Sequence, residues 1–189
     1  MNMELIKTVA DIVTAGATLA IAVTGVGALI YAARQLKQSR EDEKVRHLVE
    51  FSKEFDSEPM VTWRKKVAEL RLQGKTFPDE ALRLLDFFET IGLLVRRGYL
   101  DEDDVWSMFS YWMFNIFADF REEIEQIRRD DDVYYGDFCD LIERLRAIEK
   151  GSGGTDDRPS KEEIKEFWRD EANTLPGAPM KKRRRPAKK

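Results

Sequence analysis

The chain has little with which to do covalent or redox chemistry. Its 189 residues include one cysteine, Cys139, and one histidine, His47. A single thiol permits no internal disulfide, which is consistent with a reducing compartment. At an apolar helix position, a lone cysteine reads as core rather than as a nucleophile. His47 and Glu50 lie one helical turn apart, but a transition-metal site usually needs three or four protein ligands, so no metal is expected. The acidic runs 101–104 and 130–132 lack the alternating spacing and terminal Glu of a calcium loop and instead suit helix starts, where the helix dipole stabilises carboxylates. No phosphate-binding glycine loop, dinucleotide fingerprint, nucleophile elbow or Glu-x-x-His pair is present. Alternation of the β type is also missing. These gaps leave no catalytic residue and no cofactor to name. The expectation is a non-enzymatic protein; the alternative is an enzyme whose pocket is assembled from dispersed residues.

What the chain does have begins with an apolar run. Residues 12–33, IVTAGATLAIAVTGVGALIYAA, carry no charged side chain between Asp11 and Arg34. As a helix the run is about 33 Å long, against about 30 Å of bilayer hydrocarbon, so a transmembrane helix is expected. A cleaved signal peptide would have a shorter apolar region and a better cleavage site than Tyr31-Ala32-Ala33. Lys7 is the only basic residue before the run, whereas Arg34, Lys37, Arg40, Lys44 and Arg46 follow it. That asymmetry predicts a single-pass inner-membrane protein with its N-terminus outside and its C-terminal body in the cytoplasm. Gly16, Ala20, Thr24, Ala28 and Ala32 recur every fourth position. They form a small-residue face suited to self-association or to pairing with a partner's helix.

Downstream, apolar residues recur at helical spacing. Val45, Leu48, Val49 and Phe55 mark a first helix, and Trp63, Val67 and Leu70 a second behind Ser57 and Pro59. Leu82, Leu85, Phe88, Ile91, Leu94 and Val95 mark a third, ended by Gly98 after two arginines. A fourth, capped by Asp101, is the aromatic helix, carrying Trp106, Phe109, Tyr111, Trp112, Phe114, Phe117 and Phe120. So many aromatics predict that some stay exposed as a protein or bilayer contact. Stacking on nucleic acid is disfavoured because no Lys or Arg interrupts the stretch from 105 to 120. The fifth helix is expected over 133–150.

The chain therefore divides into a short outer N-terminus (1–11), the span (12–33), an all-α cytoplasmic domain of about five helices (34–150), a Gly/Ser linker (151–159), a short helix with a Ser160–Glu163 capping box (160–173) and a disordered basic tail (174–189). The formal charge of −4 hides this tail, KKRRRPAKK, in which Lys181, Lys182, Arg183, Arg184, Arg185, Lys188 and Lys189 are cationic. Near an anionic surface each basic residue contributes roughly 1 kcal/mol, so the tail is expected to contact anionic lipid. A nucleic acid and the chain's own acidic body are the competing partners.

FFETIGLLVRRGYLDEDDVW, FSYWMFNIFADFREEIEQIR and YYGDFCDLIERL, with the earlier LVEFSKEFDSEPMVTWRKKV, resemble an uncharacterised bacterial family of single-pass membrane proteins with a cytoplasmic helical domain of unknown function, the DUF4760-type domain. The resemblance covers about residues 12–148 and implies a tethered helical domain without assigned site residues. Relatives labelled as phage-defence proteins imply a stress or defence effector. Residues and resemblance together point to an interaction, scaffold or regulatory protein with an unidentified protein partner.

Overall fold

A computed structural model describes residue 3 and residues 31–75, 77–153 and 159–175. No strand occurs among these residues. The chain divides into two compact units, Met1–Glu43 and Lys44–Lys189. In the first unit, residues 31–43 are helical and exposed. The second unit contains α1 (residues 44–55), α2 (Glu58–Leu72), α3 (Asp79–Arg96), α4 (Glu102–Asp119), α5 (Arg121–Asp130), α6 (Gly136–Gly151) and α7 (Lys161–Ala172).

The expected fold class needs correction. Among the described residues no helix is long and apolar enough to cross a membrane. Even α3 and α4, at 18 residues each, carry several charged side chains because one end or face of each meets water. Of the expected span, residues 12–30 lie outside the described residues, as do Gly16, Ala20, Thr24 and Ala28; Ala32 is helical and exposed. The helical unit also differs from the expected bundle of about five helices with a separate short helix. It contains an additional helix, α5, and α7 is part of its core. Sequence periodicity misses α5 because, within REEIEQIRRD, only Ile124 and Ile127 are apolar.

The aromatic helix α4 runs through the middle. It is apolar on nearly every side, and a helix of that kind is stable only when surrounded. Trp106, Phe109, Trp112, Phe114, Phe117 and Phe120 are all buried and Tyr111 is half-buried, so the expected exposed aromatic remainder is absent from this helix. Phe55 of α1 sits at a hub of rings, 5.1 Å from Trp112, 5.7 Å from Phe109 and 5.8 Å from Phe88. The pairs with Trp112 and Phe109 are edge-to-face and add about 0.5–1.5 kcal/mol each beyond simple burial.

On one side α4 meets α6, which also packs closely on α3. Gly92 permits that approach: a Cβ there would overlap the backbone carbonyl of Asp137. Tyr135, in the left-handed region at φ 54°, precedes α6 and supplies no side-chain cap. Glu89 of α3 takes that role from outside, its carboxylate accepting from Phe138 N at 2.7 Å and Asp137 N at 3.2 Å. Arg96 grips Asp137 with two bonds, at 2.5 and 3.1 Å. Trp106 donates to Glu149 at 2.8 Å and ties α4 to α6. On the other side of the core, α2 and α4 hold α7.

The local stops follow their chemistry. Gly98 ends α3 at φ 76°, with Tyr99 N donating to Leu94 O. Asp101 caps α4 by accepting from Asp103 N at 3.0 Å. Ser57 stands at the α2 N-cap without a side-chain bond, and Pro59 lies in the first turn. At α7 the Ser160–Glu163 capping box has both its bonds, at 3.2 and 2.7 Å.

Candidate functional site

Two features stand out: a buried clamp and a half-buried one that hold α7, and an arginine-lined groove beside α5.

The clamps start from α2. Its apolar stripe, at 60, 61, 67 and 68, is completed by Arg64, and Arg71 follows seven residues later on the same side. Arg64 is 2 % exposed and Glu171 of α7 is 3 % exposed. Arg64 Nε donates to Glu171 Oε2 at 2.8 Å, and Arg64 Nη1 donates to the Phe55 carbonyl at 2.9 Å. The second carboxylate oxygen of Glu171 accepts from Trp112 Nε1 of α4 at 3.0 Å. The guanidinium also lies 4.1 Å from the Phe55 ring centroid. Two turns along α2 the same parts recur with their sources exchanged. Arg71 holds Asp119 of α4 with two bonds, at 2.7 and 2.8 Å, and Trp168 of α7 donates to Asp119 Oδ2 at 2.7 Å. In one clamp α7 provides the carboxylate and α4 the indole; in the other the roles are reversed.

Each clamp therefore joins three helices through an arginine, a carboxylate and a tryptophan N–H. Burial alone would lower the Arg71 pKa, but the bonds and charge of Asp119, helped by Glu123, hold it above its ordinary value. Charge-assisted bonds of this bidentate form are about twice as strong as neutral ones. A smaller cleft of about 350 Å³ opens along this seam beside Arg71 and Trp168, with Lys75, Lys161 and Lys165 on its rim.

The groove lies between α5 and α6 and has a volume of about 440 Å³. Arg121, Arg128 and Arg129 of α5 and Arg146 of α6 line it over a floor of Phe117 and Ile124. Positions 121, 124, 125 and 128 fall on one face of α5, and 139, 143 and 146 on one face of α6, at the spacing that aligns side chains on a helix. Arg121 pairs with Glu125 at 2.7 Å and Arg146 with Glu143 at 2.9 Å. Arg129 donates to Gln126, and the Arg128 cation lies beside the Cys139 sulfur. Arg146 stands 5.5 Å over the Phe117 ring. Burial pushes the Cys139 thiol up, and the adjacent Arg128 cation offsets only part of that rise. Cys139 is thus half-buried in the groove wall rather than enclosed in the core.

The other sequence-derived candidates stand apart. His47 Nδ1 is 3.5 Å from Glu50 Oε2 on α1. No group of three or more potential metal ligands occurs among the described residues. Lys181, Lys182, Arg183, Arg184, Arg185, Lys188 and Lys189 lie outside the described residues.

Sequence reasoning missed both clamps and the groove. A signal for the clamps existed: an arginine placed within an apolar helical stripe, and Glu171 completing the 164, 167, 168, 171 face of α7. Charged residues at such positions are almost never buried without a partner. The groove had no comparable signal, because α5 itself went unread.

Residues 19–145 match the family model described as "Domain of unknown function (DUF4760)". No curated protein and no solved structure matches the chain. The matched stretch ends within α6 and does not include α7.

Proposed function

The chain belongs to the DUF4760 family, a domain of unknown function, and on that premise we propose that it is a non-enzymatic interaction module of scaffold or regulatory type, built around a helix-binding groove between α2 and α4. Its own α7 is the resident ligand of that groove.

The observation that carries this reading is the division of each clamp across the end of the matched stretch. Arg64, Arg71, Trp112 and Asp119 fall inside residues 19–145, whereas Trp168 and Glu171, which complete the clamps, lie beyond them. The bound face of α7 presents Ile164, Phe167, Trp168 and Glu171, with Phe167 and Trp168 each 2 % exposed. That i, i+3, i+4, i+7 arrangement is how an amphipathic helix anchors in a groove. Tyr111 of α4 and Phe120, the residue that follows that helix, flank the two rings at 5.6 and 5.9 Å. Between α6 and α7 the sequence is rich in Gly, Ser and Asp, a composition typical of extensible linkers. A partner would offer a helix with an adjacent Phe-Trp pair and a carboxylate three residues after the tryptophan.

The test replaces residues 154–158 with a specific protease site in the full chain. After cleavage, a fluorescein-labelled peptide of residues 159–175 should exchange into the groove and raise its anisotropy, while the Trp168→Ala and Glu171→Gln peptides should not. If the cleaved protein retains its original α7 without exchange, or loses its cooperative helical melt on cleavage, α7 is a permanent part of the core and the reading falls.

A further inference from the structure

The cleft along the α2–α7 seam holds charges that the clamps do not use. Arg71 and Asp119 line it, but both are committed. The Asp119 carboxylate accepts two bonds from Arg71 and one from Trp168. Lys75, Lys161 and Lys165 line the same cleft and are exposed. Their ammonium groups have no hydrogen-bond or carboxylate partner among the described residues. In the groove beside α5, by contrast, Arg121 and Arg146 each hold a glutamate of the same lining.

Three like charges in a space of about 350 Å³ repel one another. The one acid in the lining, Asp119, is balanced by Arg71, and Glu162, Glu163 and Glu166 of α7 lie outside it. An anion with two or more charges relieves that repulsion. The volume is that of a small-molecule site. Ammonium groups act as point charges on flexible stems, with three donors each and no planar demand. They therefore suit a tetrahedral, multiply charged phosphate, whereas a planar carboxylate is better matched by an arginine fork.

The two sides of the cleft come from different elements. Leu72 and Lys75 belong to the end of α2 and the turn after it, and Lys161, Ile164 and Lys165 to α7. The site is complete only while α7 is docked. A ligand that binds only the docked form stabilises that form by mass action.

We propose that this cleft binds a small phosphate-bearing anion, a phosphomonoester or diphosphate held by Lys75, Lys161 and Lys165, and that its occupancy locks α7 onto α2. The lock rests on the helix-binding reading; the anion site does not.

The experiment uses the full chain with inorganic pyrophosphate as the probe and sodium chloride of equal ionic strength as the control. Pyrophosphate should raise the midpoint of the helical melt by about 2–4 °C. Lys75→Gln/Lys165→Gln should abolish the shift, yet melt no lower than wild type without the probe, because no bond is lost. Lys161→Gln should reduce the shift, and Arg121→Gln/Arg129→Gln in the other groove should keep it. In the chain cleaved within 154–158, pyrophosphate should slow exchange of the 159–175 peptide several-fold. Vesicles of phosphatidylcholine and phosphatidic acid in equal parts provide the second arm. A lysine-dependent shift with them and not with pyrophosphate assigns the phosphate to a lipid headgroup. The proposal falls if neither probe shifts the melt or if sodium chloride matches pyrophosphate. It also falls if the lysine pair keeps the shift, which would place the anion on the basic tail or in the α5 groove. A lysine-dependent shift in a cleaved chain whose α7 never exchanges would keep the anion site and remove the helix-binding reading.

Discussion

Arg64 and Glu171 meet at 2.8 Å in the interior although 107 residues separate them, and both are almost wholly excluded from water. An isolated buried charge is very costly, so neither side chain could occupy its place without the other. The pair thus makes α7 and α2 mutually dependent, and Trp112 adds α4 to the same arrangement.

Removing one member should be much worse than removing both. Glu171→Leu is expected to cost about 3–5 kcal/mol, because it leaves the Arg64 cation buried and unpaired. Arg64→Met combined with Glu171→Leu should recover most of that loss. Urea denaturation of the two singles and the double provides the cycle; strictly additive losses would show that the two residues are not coupled.

The close approach of α3 and α6 depends on hydrogen alone at Gly92. Gly92→Ala should destabilise the protein by about 1–3 kcal/mol, since the methyl meets backbone rather than a side chain that can rotate away. Gly98→Ala provides the comparison. Its surroundings are open, and only the left-handed backbone resists the change. A denaturant midpoint for Gly92→Ala matching the wild type would rule out the close contact.

Glu89 gives a signed pH dependence. Burial raises its pKa above the ordinary carboxylate value of 4.5, opposed in part by the Phe138 and Asp137 N–H bonds. A carboxyl raised in the folded state binds protons more tightly there than in the unfolded chain. Its contribution is therefore greatest in acid and is lost as pH rises through 4.5 and then through the higher folded value. The stability of wild type relative to Glu89→Gln should fall over that window. A difference that instead rises with pH would contradict the assignment.

Cys139 should be a slow thiol. With its pKa raised by burial, its thiolate fraction at pH 8 is below that of a free cysteine. Its rate with a disulfide reagent should be several-fold under that of glutathione and should still climb above pH 9. Faster reaction than glutathione would mean that the Arg128 cation outweighs burial.

Tyr135 allows a spectroscopic check on the α3–α6 junction. Burial first, then the Asp86 carboxylate, pushes its phenol up to about 12. Ultraviolet titration should show one tyrosine ionising near pH 12, well above the ordinary phenol value of 10.0, and Tyr135→Phe should delete that late step. A single common transition for all tyrosines would sink the prediction.

Much of the helical layout was legible because helix formation is local. The apolar spacing of α3, the glycine stop at 98 and the Ser160–Glu163 box all act within a few residues, so their consequences can be read from the order of side chains. The amphipathic face of α7 was equally visible, but its destination was not. Helix α5 was hidden because only two apolar residues mark it, and at Arg121–Asp130 most of the face toward water is charged.

The sequence by itself determined that this unit is all-helical, that α4 would be its aromatic centre and that no short catalytic motif is present. Only the tertiary structure decided where the charges go. A periodic pattern reports which side of a helix seeks burial, whereas pairing Arg64 with Glu171, or exchanging carboxylate and indole between α4 and α7, depends on which helices become neighbours. That choice is made by long-range packing, and it turned what reads as a separate terminal helix into part of the core.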